Sequence, residues 1–142
     1  MPLFIAQLSN IIKTTIMQKV HFHNSEIPLY AKFKIKKGML SAAYSIALFE
    51  KNGQDMILYH NGKNNFPVSE SIVELPSPVS LNNDRFVRCI TDFKTIDTAQ
   101  NNSYQISLEI YQGERLLGTV EEEGELSYNQ KCLMFFSKLV EV

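Results

Sequence analysis

His21 and His23 stand two apart on either side of Phe22, so on an extended chain both imidazoles project to one face and could fill two positions of a metal shell. His60 or Glu26 would have to complete that shell. No spacing brings either to the pair, and polar residues that alternate with Val20 and Phe22 need no metal to explain them. The two thiols are Cys89 and Cys132. A nucleophilic cysteine needs a base or a cation to lower its pKa, and both of these lie among apolar residues, where a thiol is an inert small hydrophobe. No serine motif, glycine-rich phosphate loop, paired-carboxylate arrangement or dinucleotide fingerprint occurs. The expectation is a protein that is not an enzyme, with no catalytic residue, cofactor or metal.

Charged groups offer binding rather than chemistry. Lys32, Lys34 and Lys36, joined by Lys37, make a basic stripe of the kind that holds anionic lipid heads or phosphates on some β modules. The plainer account is that lysines on a sheet prevent edge-to-edge pairing, and the aromatic interleaving of a nucleic-acid platform is missing from that face. Glu121-Glu122-Glu123-Gly124-Glu125 reads as an acidic turn, better explained as a solvated hairpin tip than as a calcium loop, whose oxygens come from alternate residues. Asn82-Asn83-Asp84-Arg85 and Gln100-Asn101-Asn102 read as polar loops at an end of the fold. Without tryptophan a sugar platform would fall to Tyr59, Tyr111 or Tyr128.

The elements that position these groups are strands. Leu29 to Lys36 alternates apolar and basic residues with almost no error, and the same period of two returns in Leu40–Leu48 and Tyr104–Ile110. Asn52-Gly53 predicts a type I′ hairpin turn. Asn61-Gly62, followed by Lys63 to Pro67, predicts a loop and a change of sheet. Ile72 to Leu75 is a short strand, Phe86 to Phe93 a long one whose two faces are mixed enough that either could lie inside, and Cys132 to Phe136 tolerates burial on both faces. Gln112-Gly113-Glu114 turns one strand into the next. Tyr104, opening a strand after a polar corner, sits where the tyrosine corner of Ig-like sandwiches sits, although their Cys…Trp…Cys core is absent.

This spacing predicts an all-β, antiparallel sandwich of about eight or nine strands, Ig-like or C2-like in architecture. Residues 1–16 are expected to form a short helix or arm and residues 17–142 a single domain. At 142 residues and 44% apolar the chain supplies its own core, and two cysteines are too few for a disulfide scaffold, which points to a reducing, cytoplasmic setting. A bridge between Cys89 and Cys132 is left open by spacing. The net charge of −1 provides no field for nucleic acid, and the polar interruptions at Asn10, Lys13 and Gln18 exclude a transmembrane segment at the start of the chain.

The function expected is that of an accessory or assembly protein acting on other protein chains or on itself, as a homo-oligomer or part of a larger assembly. The apolar stretch before the first regular strand is the expected docking device. The alternative is a small-ligand or anionic-lipid module that uses the lysine-striped strand.

Overall fold

The computed structural model describes residues 12–38, 40–64, 69–95, 103–125 and 131–142. They form β1 (Ile12–Phe22), β2 (Leu29–Lys37), β3 (Leu40–Phe49), β4 (Met56–Asn64), β5 (Ser69–Glu74), β6 (Phe86–Thr95), β7 (Ser103–Gln112), β8 (Arg115–Glu125) and β9 (Lys131–Glu141), with one 3₁₀ turn, Val79–Asn82. Two sheets pack face to face in the expected sandwich. The larger runs β1-β9-β6-β3-β4 and the smaller β5-β2-β7-β8. Neighbours are antiparallel except β1 and β9, which run side by side in parallel. No helix among the described residues is long and apolar enough to cross a membrane.

The core follows from the period of two. Leu29, Ala31, Phe33 and Ile35 of β2 point inward with Ile106, Leu108 and Ile110 of β7, and meet Val87, Cys89, Phe93, Leu133, Phe135 and Leu139 of the larger sheet. Rings tie the layers together. Phe33 stacks on Tyr44 of the facing sheet with centroids 4.5 Å apart, and Phe93 meets Tyr104 edge-on at 4.9 Å.

Several local expectations change. β1 begins at Ile12, five residues ahead of Met17, so the end of the expected arm is strand; residues 1–11 lie outside the described residues. The Asn52-Gly53 hairpin is present but is not type I′. Gly53 has φ +72° and Asn52 is not at positive φ; instead Asn52 Oδ1 accepts from the N–H groups of Gln54 and Asp55, and the Gly53 N–H donates to the Glu50 carbonyl. Asn61-Gly62 is not a loop. β4 runs through both residues, and the sheet changes only afterwards. Gly62 pairs with Tyr44, whose ring lies so near that a Cβ would stand 2.5 Å from its hydroxyl, so this glycine serves close approach and not a turn. The acidic Glu121–Glu125 run is likewise strand, the end of β8 paired with β7.

Candidate functional site

The structure separates the histidines. His21 lies on β1 and His60 on β4, opposite edges of the five-stranded sheet, and register sets them five residues apart along the strands as well, a separation of about 25 Å. His60 meets Ser71 Oγ at 3.0 Å, and no group of three metal-ligating side chains occurs among the described residues. The cysteines form no disulfide and sit on adjacent strands of one sheet, yet on opposite faces: Cys89 is level with Phe135 in the core and Cys132 with Asp92 outside. That arrangement rules out a bridge between them.

Burial pushes the Cys89 thiol from its ordinary 9.0 up to about 12, with a weaker opposing pull from Thr91. Because the folded value lies above the unfolded one, this group's contribution to stability is fully present below pH 9 and is lost as the pH climbs from 9 toward 12. Cys89 should therefore react with a thiol reagent at pH 8 only at the rate of global unfolding. Labelling in the native state within minutes, read by mass spectrometry of the Cys89 peptide, would contradict the burial argument.

The lysine stripe lies on a central strand, so it guards no edge. It forms a ladder with glutamates from three neighbours. Lys32 and Lys34 each lie 3.9 Å from Glu70, Lys34 lies 3.5 Å from Glu109, and Lys36 lies 3.9 Å from Glu109 and 2.9 Å from Glu121. Lys32 also sits over the Tyr111 ring at 4.7 Å. The hydrogen bond from Lys36, and a second from Gln105, hold the Glu121 carboxyl below its usual range. Lys37 follows a bulge after Ile35 and is exposed. Charge on this outer face is thus matched by charge.

Other polar candidates are occupied by the fold. Asn82 is buried, donating to the Pro76 carbonyl at 2.9 Å and accepting from Arg85, which pairs with Glu50 at 2.8 Å. Asn83 accepts from the Glu141 N–H, and Asp84 donates its N–H to Leu139. Tyr104 is not a tyrosine corner: its hydroxyl donates to Glu122 at 3.2 Å and accepts from Lys131 at 2.7 Å, both side chains and not upstream backbone. Gln100, Asn101, Asn102 and Tyr128 lie outside the described residues.

What remains open is the outer face of the five-stranded sheet. Strand register places Met17 of β1 beside Phe136 of β9, then Arg88 of β6, Ala47 of β3 and Tyr59 of β4 in one row across the sheet. The next row toward one end carries Phe86 and Phe49, and toward the other Met134 and Ile90. Met17, Met56 and Tyr59 are exposed, and Met17, Phe49, Phe86, Arg88 and Phe136 line a depression of about 350 Å³. The charged residues here are Lys19, Lys63, Arg88, Lys94 and Lys138 against one carboxylate, Asp92, among the described residues. Lys138 reaches Asp84 at 3.9 Å, beside the face.

Arg88 is the unusual member. Its guanidinium lies 4.6 Å over the Phe49 ring, and its Nε is buried without a hydrogen-bond partner. Arginine beside aromatic and methionine side chains is a composition enriched at the centres of protein interfaces. The doubly apolar character of Phe86–Phe93 and Cys132–Phe136 was the sequence signal for it. A strand in a two-layer sandwich has only one inner face, so surplus apolar residues must lie outside.

Comparison with protein-family models, with curated proteins and with solved structures gives no match to this chain.

Proposed function

We propose that this chain is a non-enzymatic assembly protein that binds protein chains, its own copies included, through the outer face of the five-stranded sheet. The observation that carries this reading is the contrast between the two outer faces. One is a ladder of compensated lysines and glutamates, and the other gathers Met17, Phe49, Phe86 and Phe136 around an arginine that has no carboxylate partner among the described residues. Exposed apolar side chains such as Met17, Met56 and Tyr59 stay in water at a cost that association returns.

Photo-crosslinking tests the reading because Tyr59 on this face and Ile72 on the opposite one are equally exposed, each at 53%. With p-benzoylphenylalanine placed at Tyr59, irradiation should give discrete protein adducts, and the additional substitution Phe136→Glu should abolish them. The same probe at Ile72 should give none. Equal adducts from both positions, or none from Tyr59, would defeat the assignment of the face.

A further inference from the structure

We infer that the occupant of this face is a second copy of the chain, packed sheet to sheet about a two-fold axis through Ile90. This rests on the docking reading above and names its partner. The outward residues of β6 run Phe86, Arg88, Ile90, Asp92 and Lys94, because Val87, Cys89, Thr91 and Phe93 are buried in the core. Arg88 and Asp92 lie two residues on either side of Ile90, each about 7 Å from it. Neither forms an ion pair among the described residues. One is the arginine whose Nε is buried without a partner, and the other is the one carboxylate of the face among the described residues.

An unpaired cation and an unpaired anion, placed symmetrically about an apolar residue, are the complement of their own reversed copy. Two-fold symmetry with the axis lying across the strands lays β6 antiparallel over β6 of the second copy, Ile90 on Ile90. Arg88 then faces Asp92 of the second copy and Asp92 faces its Arg88, the reciprocity that an isologous contact requires. Two of the remaining cations, Lys63 and Lys94, find rings by the same operation. β4 carries Tyr59 and Lys63 symmetrically about Asn61, the residue level with Ser45 and Ile90, so Lys63 meets Tyr59 of the second copy. Lys94 likewise meets Phe86. Aligned sheets cross at about 30°, which displaces a side chain about 7 Å from the axis by only about 3.5 Å, within the reach of arginine. The face measures about 19 Å across its strands and about 27 Å along β6, a plan area of about 500 Å² that side-chain relief raises toward the ~800 Å² per partner of a standard dimer.

Charge reversal on the whole chain tests the pairing. Sedimentation should show a dimer for the wild type and monomers for both Arg88→Asp and Asp92→Arg. An equimolar mixture of these two variants should form a one-to-one dimer, because two acidic sites then face two basic ones. Should either reversal fail to fold by circular dichroism, Arg88→Gln and Asp92→Asn replace them, each expected to weaken dimerisation about 30-fold or more. A monomeric wild type, a dimer that both variants retain, or a mixture that stays monomeric would overturn the inference. If adducts from Tyr59 persist in any of those cases, the docking face stands and only its occupant is wrong; if they are absent, the face itself falls.

Discussion

Replacing Phe33 with alanine should lower the unfolding free energy by about 4 kcal/mol, the range for a large aromatic removed from a packed core. Phe33 is fully buried on β2, and its ring is stacked on Tyr44 from the facing sheet. Tyr44 in turn covers Gly62 of β4. The substitution therefore empties a space between the layers and frees a ring that holds the edge strand of the larger sheet. Lys34→Ala, one residue along, is the control. Its ion pairs with Glu70 and Glu109 are partly solvated, and the loss should stay within about 1 kcal/mol. Urea unfolding of the three proteins with a shared m-value decides the matter. A Phe33→Ala penalty below about 1.5 kcal/mol would mean that the layers collapse onto the gap and that Tyr44 does not depend on the stack.

Gln112→Ala should cost about 3 kcal/mol, an effect out of proportion to a polar side chain at a strand end. The chain leaves the larger sheet at Phe22 and enters the smaller at Leu29, and Gln112 fastens that crossing. Its Nε2 donates to the carbonyls of His23 and Ile27, at 2.8 and 3.1 Å, and to Ser25 Oγ at 3.2 Å; its Oε1 accepts from the His23 N–H at 3.1 Å. Gln112 is itself buried, so alanine removes the anchor without admitting a substitute of equal geometry. Hydrogen exchange gives the local readout. The His23 amide should lose protection while the Gly113 amide, which donates to Pro28, retains it. Unchanged exchange at His23, with a stability loss below about 1 kcal/mol, would show that water replaces the side chain.

Strands with one wet face were legible from sequence, and strands with apolar residues on both faces were not. The alternation in Leu29–Lys36 and Tyr104–Ile110 names the inward residues directly, and each is buried as expected. β6 and β9 carry apolar residues in both registers, so alternation cannot say which set is outside. The outer face of the five-stranded sheet is built from that undecided set. Glycines misled for a related reason: Gly62 and Gly124 sit opposite Tyr44 and Tyr104, and an aromatic ring lying over a glycine leaves no trace in the local pattern. The lysine stripe was visible at once, whereas its neutralisation depends on Glu70, Glu109 and Glu121 arriving from three other strands.

The parallel pairing of β1 with β9 has a consequence for the moment of synthesis. Gln18 and Ser137, hydrogen-bonded across that seam at 2.9 Å, are 119 residues apart. A ribosome delivers β1 well before β9, and among the described residues β1 has no other sheet neighbour until β9 has cleared the exit tunnel. At about 5–20 residues per second that interval lasts about 6–24 seconds. Throughout it the exposed backbone of β1 is available to other nascent chains, so the seam that closes the finished sandwich is also where a crowded polysome would first entangle it.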